Sequence, residues 1–165
     1  DLPLEIVPIG FKYICDIMIK EDVLVGGEES GGIAIKGHIP ERDGIWIGLT
    51  LLEFMAKTGK KIQDLVDEIY QEVGSFAFQR IDLTLSEQKK QEIITNCKNN
   101  KYHQFGSYQV AKMDDMDGYK FYFNEDEWVM IRPSGTEPVL RTYSESKDKK
   151  SAEAILKATH QTILN

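Results

Sequence analysis

The chain has 165 residues, of which 41% are hydrophobic and 28% charged, with a net charge of −7 and an isoelectric point near 5.0. This composition is typical of a soluble globular protein with one ordinary domain or two small ones, and the acidic balance argues against a nucleic-acid partner, which would favour a clustered basic face. There is no apolar stretch of membrane-spanning length and no secretory signal, and Cys15 and Cys97 lack the spacing of a metal or redox site, so we expect a cytoplasmic protein with no membrane partner.

The first half of the chain is predicted to consist of helices and a glycine-rich hairpin. Apolar residues at helical spacing predict a helix over residues 11–20. Two further helices are predicted over residues 45–57 and 61–73, each with an apolar stripe. Because Gly74 and Ser75 follow the last stripe, we place a domain boundary there, which gives domains of residues 1–75 and 76–165.

The hairpin loop of residues 26–32 combines glycines with acceptor side chains. Short apolar runs on both sides predict the two strands. Glu28, Glu29 and Ser30 stand between the glycines, and a carboxylate can accept hydrogen bonds from neighbouring hydroxyl groups of a sugar. The alternative is a flexible hairpin whose glutamates are only solvated, because glycine-rich turns and exposed glutamates are common.

The second half is predicted to be an antiparallel sheet with helices on one face. A strand begins near Phe76, and a helix covers residues 86–97, with Thr84 and Glu87 at the spacing of a capping box. Later strands and the last helix are predicted over residues 108–113, 119–123, 128–131, 139–143 and 148–163.

The turn of residues 114–118 is acidic, but it does not fit a calcium loop. That register needs an acidic residue or Asn where Met113 stands. We interpret the turn as the tip of a hairpin, because Asp-Gly turns are common there. The histidines have no partners at ligand spacing, so we expect no metal site in this chain.

The segment from Arg132 to Pro138 has the side chains that a phosphate-binding loop needs. An arginine offers a planar fork of donors, Ser134 and Thr136 add hydroxyl groups, and Gly135 lets the backbone turn its N–H groups inward. Prolines at two positions stiffen the segment before a ligand arrives. The alternative is an ordinary surface turn between two strands. The segment is not a P-loop, because it lacks the Gly-Lys-Ser/Thr sequence.

Three segments together resemble the α-D-phosphohexomutases, the phosphoglucomutase and phosphomannomutase family. Residues 132–138 resemble the phosphate-binding loop of the family's C-terminal domain, and residues 26–32 resemble the sugar-binding loop of its third domain. Residues 10–14 resemble a segment that places a lysine near the substrate phosphate. The resemblance implies the following substrate-binding residues: Glu28 and Ser30 for sugar hydroxyls, and Lys12, Arg132, Ser134, Gly135 and Thr136 for phosphate.

The resemblance leaves two points open. Arg141, on the strand after the phosphate loop, either reinforces the phosphate site or pairs with Glu137. Many bifunctional members have His where Gly32 stands, whereas the Glu-Glu-Ser sequence favours phosphoglucomutase, so the preferred sugar stays open.

The fold implied is mixed α/β and α+β. Residues 1–75 would form part of a mixed α/β third domain, and residues 76–165 a C-terminal domain like the TATA-binding protein, with an antiparallel sheet and helices on one face. The family's phosphoserine loop and its Asp-x-Asp-x-Asp magnesium loop are absent from this sequence. We therefore expect a C-terminal fragment of a longer enzyme, inactive by itself and without catalytic or metal-binding residues.

The implied activity is the interconversion of hexose 1-phosphate and hexose 6-phosphate through a phosphoserine and a hexose 1,6-bisphosphate intermediate. Mg²⁺ would be bound by the missing second domain. The expected partners are the hexose phosphate substrate and the missing N-terminal domains. Two other hypotheses remain: a non-catalytic module that binds sugar phosphates, and a protein-interaction module in which both loops are only turns.

Overall fold

The structure is a computed structural model that describes residues 2–28, 30–134 and 139–165. The chain forms two compact units, Asp1–Ile69 and Tyr70–Asn165. The division between them falls inside the helix Ile62–Val73. The predicted domain boundary at Gly74 and Ser75 stays a prediction.

The first unit contains the predicted helices and the predicted hairpin. Its elements are α1 Phe11–Lys20, β1 Val25–Gly27, β2 Ile33–Ile35, α2 Gly44–Thr58 and most of α3 Ile62–Val73. The two strands pair antiparallel, with Gly26 opposite Ala34. Helix α2 begins after Asp43, whose side chain accepts hydrogen bonds from the backbone N–H groups of Ile45 and Trp46, and this satisfies donors that a helix start leaves unpaired.

The apolar stripes of α2 and α3 remain accessible in this structure. No residue of either helix is buried, and Ile45 and Leu52 are 80% and 62% exposed. The sequence correctly predicts where these helices lie, but periodicity cannot say what covers a stripe. Contiguous exposed apolar surface normally marks a contact surface.

The second unit is built on a five-stranded antiparallel sheet. Its elements are β3 Ala77–Thr84, α4 Glu87–Lys98, β4 Gln104–Phe105, β5 Tyr108–Gln109, β6 Lys112–Asp114, β7 Tyr119–Tyr122, β8 Trp128–Pro133, β9 Val139–Ser146 and α5 Lys149–Leu164. The strand order is β3-β9-β8-β7-β6, and β4 and β5 form a separate small hairpin.

One face of this sheet carries the core. The buried cluster joins α4 and α5 to the central strands: Ile93, Cys97, Phe105, Phe121, Val129, Ile131, Leu140, Ile155, Leu156 and Ile163. Along β8, Val129 and Ile131 are buried while Trp128 and Met130 are not, as expected for a strand with one face against helices. The predicted mixed fold, with an antiparallel sheet and helices on one face, is confirmed.

The prediction of a capping box between Thr84 and Glu87 is wrong. Thr84 is the last residue of β3 and lies opposite Val139. The helix is instead capped by Ser86, whose hydroxyl accepts a hydrogen bond from the backbone N–H of Lys89 at 3.2 Å. The strand runs further than its apolar pattern indicates, because pairing with β9 holds the backbone extended up to Thr84.

The single strand predicted over residues 108–113 is divided in two. Its first part, β5, folds back on β4. The chain turns at Gly106, whose φ of +59° favours glycine. Its second part, β6, pairs with β7 as predicted.

His160 on α5 gives the second unit a pH-dependent stability. The Thr142 hydroxyl donates to the carbonyl of Ile81 at 2.9 Å, so it accepts from Nε2 of His160 at 2.8 Å. Burial lowers the pKa of His160, so folding favours the neutral ring. Its stabilisation is complete above the unfolded pKa of about 6.5 and decreases as the pH falls below that value.

We expect the melting temperature to decrease between pH 7.5 and pH 5, and to decrease less in the His160→Gln variant. Thermal denaturation of both proteins across this range measures the difference. Equal pH dependence in the two proteins would contradict the assignment.

Candidate phosphate and sugar sites

Two arginines lie side by side at the base of the predicted phosphate loop. Strands β8 and β9 flank the loop, and their register places Arg132 directly opposite Arg141. Their neighbours Ile131, Leu140 and Thr142 are buried in the core, so the two arginines lie on the sheet face away from the helices. Like charges at directly opposite positions are destabilising. The arrangement is therefore suited to an anion that contacts both guanidinium groups.

The base of the loop is closed by the backbone. The N–H of Ser134 donates to the carbonyl of Val139 at 3.0 Å. Gly135, Thr136, Glu137 and Pro138 lie outside the described residues. The predicted roles of Gly135 and Thr136, and the alternative pairing of Arg141 with Glu137, therefore stay predictions.

A carboxylate flanks each arginine on its outer side. Oδ1 of Asp117 lies 3.8 Å from Nε of Arg132, and Oδ2 of Asp82 lies 3.9 Å from Nε of Arg141. Asp82 also accepts two hydrogen bonds from Arg80, at 2.8 and 2.6 Å. The hydrogen bonds from Arg80, and then the charges of Arg80 and Arg141, hold the pKa of Asp82 below its usual value. Arg132 thus has a carboxylate beside it, and Arg141 has a carboxylate whose charge Arg80 partly offsets.

The turn that carries Asp117 packs against Arg132. Gly118 has a φ of +99°, and a Cβ at this position would lie 3.0 Å from the carbonyl oxygen of Ile131 and 3.1 Å from Cβ of Arg132. A cavity of about 310 Å³ lies beside this contact, with Asp117 and Arg132 both in its wall. The sequence indicates only a hairpin tip at this turn, and no motif in it indicates that Asp82 lies beside Arg141.

The sugar-binding candidate Glu28 lies in a loop closed by two backbone hydrogen bonds. Its N–H donates to the carbonyl of Gly32 at 2.9 Å, and its carbonyl accepts from Gly31 at 3.0 Å. The Glu28 side chain is only 14% exposed. Ser30 is exposed at the tip, and Glu29 lies outside the described residues.

Arg42 lies against this loop, although no motif in the sequence indicates that it belongs there. Its Nη1 is 3.5 Å from Oε2 of Glu28, its Nε is 3.2 Å from Oε1 of Glu41, and its guanidinium lies 5.1 Å from the Phe11 ring centre. A Cβ at Gly32 would lie 2.6 Å from Cδ of Arg42. The absence of a side chain at Gly32 therefore makes room for Arg42 beside Glu28.

Lys12 is exposed on α1, and its Nζ lies 4.8 Å above the Tyr13 ring. Lys12, Glu28 and Ser30 belong to the first unit, while Arg132, Ser134 and Arg141 belong to the second. In the part of the chain that the structure describes, no three His, Cys, Asp or Glu side chains are grouped as metal ligands would be. None of its helices has the length and apolar character needed to cross a membrane.

Two family models match the chain. Residues 1–73 match domain III of the phosphoglucomutase/phosphomannomutase family, an alpha/beta/alpha domain, and residues 90–161 match the C-terminal domain of the same family. The two matches follow each other in the order expected from the two loops.

Individual proteins similar to this chain belong to the same family by their descriptions. The phosphoglucosamine mutase of Methanocaldococcus jannaschii is 33% identical over 94% of this chain and 33% of its own length. The phosphoglucomutase/phosphomannomutase of Thermococcus kodakarensis is 29% identical over 90% of this chain and 30% of its own. The crystal structure of a protein from Thermus thermophilus, described as a phosphomannomutase, superposes with a TM-score of 0.73 at 30% identity, over 96% of this chain and 30% of that protein.

The chain thus spans about a third of the length of the curated relatives it matches. Both family domains and the solved structure match segments that carry the predicted loops. The chain belongs to the phosphoglucomutase/phosphomannomutase family.

Proposed function

We propose that this chain supplies the substrate-binding loops of a phosphohexomutase, which moves a phosphoryl group between the 1- and 6-positions of a hexose phosphate. The observation that carries the proposal is the pairing of Arg132 with Arg141 at the base of the predicted phosphate loop. Two guanidinium groups on one sheet face offer several donors to a phosphate dianion. The names of the relatives, all of them mutases, support the same class of reaction.

The two loops would bind different parts of the substrate. Arg132, Arg141 and the hydroxyls of Ser134 and Thr136 hold the phosphate that is not reacting. Glu28 and Ser30 hold sugar hydroxyls, and Lys12 adds a cation for the phosphate. In the proposed reaction a phosphoserine gives its phosphoryl group to the sugar phosphate, and the resulting bisphosphate reorients and returns its other phosphoryl group to the serine. Loops that hold the sugar phosphate in each of its two orientations accelerate the reaction, because they fix the geometry of the reacting groups.

Among the residues that the structure describes, no three candidate ligands are grouped around a possible metal position. We propose that Mg²⁺ and the reactive serine belong to another domain of the enzyme, and we derive no step of this chain from the metal. Hexose 1,6-bisphosphate is proposed as the intermediate and activator.

The sugar is proposed only as a class. The relatives include phosphoglucosamine mutases as well as a phosphoglucomutase/phosphomannomutase. A loop that binds hydroxyls common to these hexoses would not separate them. Glucose, mannose and glucosamine phosphates are therefore all candidate substrates.

The test compares the complete gene product that carries this chain with residues 1–165 alone. With Mg²⁺ and glucose 1,6-bisphosphate, we expect the complete gene product to convert at least one of the 1-phosphates of glucose, mannose and glucosamine to the 6-phosphate. Residues 1–165 alone should give no turnover, because phosphoryl transfer needs a nucleophile and stabilisation of the developing charge. A coupled assay for each 6-phosphate measures both.

If the complete gene product converts none of the three sugars, the proposed function is wrong. If residues 1–165 alone convert one of them above a blank without protein, this chain holds a catalytic centre that the described residues do not explain.

A further inference from the structure

The strongest unexplained feature is the pair of carboxylates outside the two arginines. We infer that Asp117 and Asp82 lower the affinity of the Arg132 and Arg141 pair for phosphate, so that the bound phosphate can leave. The inference rests on the proposed function, because it concerns the same phosphate site. It adds two residues that the family motifs in this sequence do not include.

The position of the carboxylates on the arginines supports this role. Both of them approach Nε, the inner nitrogen of the guanidinium group, at 3.8 and 3.9 Å. The terminal nitrogens extend beyond Nε, and they carry most of the donors that bind phosphate. A phosphate that binds these terminal nitrogens lies in the field of Asp117 and of Asp82, whose charge Arg80 partly offsets.

Both carboxylates are held in place. Asp82 receives two hydrogen bonds from Arg80. Asp117 lies in the turn between β6 and β7, in which Asp114 accepts from the backbone N–H of Met116 at 2.8 Å, and it precedes Gly118, which packs on Arg132. The turn that carries Asp117 is thus packed against the arginine whose charge Asp117 offsets.

A moderate affinity for phosphate suits the proposed reaction. The bisphosphate must reorient, so the site must release one phosphate group before it binds the other. Two arginines without counter-charges would hold a dianion longer, and tight binding of every bound state does not increase turnover. The carboxylates leave the donors in place and reduce only the net charge.

The test measures binding of inorganic phosphate and of glucose 6-phosphate to the complete gene product by calorimetry. We expect Asp117→Asn to tighten binding of both by roughly three- to tenfold, since it removes one unit charge a few ångströms behind the phosphate. The gain should shrink as KCl is raised, because these groups are partly exposed. Asp117→Glu keeps the charge, so its affinity should stay near that of the wild type.

Asp126→Asn is the matched control. It removes the same charge from an exposed residue in the turn between β7 and β8. The pairing of Tyr122 with Trp128 places this turn at the end of the sheet opposite Arg132. The control should leave phosphate affinity nearly unchanged.

Weaker or unchanged binding in Asp117→Asn would overturn the inference, as would equal tightening in Asp117→Glu. The Arg132→Ala variant separates this failure from that of the proposed function. If Arg132→Ala binds phosphate as well as the wild type, the phosphate site itself is wrongly assigned, and the inference fails with it. If Arg132→Ala loses affinity while Asp117→Asn does not gain it, only the inference fails.

Discussion

Replacing Arg132 by alanine is expected to weaken the binding of glucose 6-phosphate to the complete gene product by at least about 100-fold, since each hydrogen bond to a charged group contributes about 1.5–3 kcal/mol and a bidentate arginine makes two. The side chain lies on the open face of the sheet, away from the core cluster. The variant should therefore keep its melting temperature within a few degrees. Calorimetric titration and a thermal melt measure the two quantities.

Lys112→Ala is the control for this prediction. Lys112 lies on β6, opposite Tyr122, so the substitution removes one positive charge from the same sheet without touching the phosphate loop. Its affinity should stay within about twofold of the wild type, as expected for a distant exposed charge. An Arg132→Ala variant that binds glucose 6-phosphate as tightly as Lys112→Ala would remove Arg132 from the site.

Glu28→Gln is expected to reduce kcat/KM of the complete gene product by about 10- to 100-fold, because hydrogen bonds to a charged group are stronger than those to a neutral amide. The substitution keeps the size of the side chain. It removes the negative charge that faces Arg42 at 3.5 Å and the acceptor proposed for the sugar hydroxyls. Steady-state kinetics with glucose 1-phosphate measures the loss.

The phosphoserine chemistry should survive in this variant. Phosphorylation of the enzyme by glucose 1,6-bisphosphate should therefore proceed, and Glu53→Gln, on the exposed surface of α2, should retain full turnover. If Glu28→Gln turns over glucose 1-phosphate at the rate of Glu53→Gln, the loop of residues 26–32 does not bind the sugar.

Local patterns in the sequence predict most of this fold. Helix α1 is predicted over residues 11–20 and is found at Phe11–Lys20, and α5 is predicted over 148–163 and is found at Lys149–Leu164. Caps and apolar periodicity act within a few residues, so they can be read from the sequence. The pairing of β8 with β9 is also predictable, because the phosphate loop that joins them is short.

The electrostatic partners of the site could not be predicted in the same way. Asp82 reaches Arg141 because β3 pairs with β9, and nothing local in the sequence specifies a strand partner so far along the chain. Likewise, Arg42 contacts Glu28 across 14 residues of the chain, and no local pattern indicates that pairing. The residues that match family motifs are found from the sequence, whereas the residues that contact them need the three-dimensional structure.

The Arg42 side chain fills the space beside Gly32, because a Cβ on Gly32 would overlap the Arg42 side chain at Cδ. A larger residue at position 32 could enter only if the residue at position 42 became shorter or turned away from Glu28. The two positions are therefore sterically coupled in this chain. A substitution at position 32 alone would meet this steric constraint first, and a library that varies both positions would avoid it.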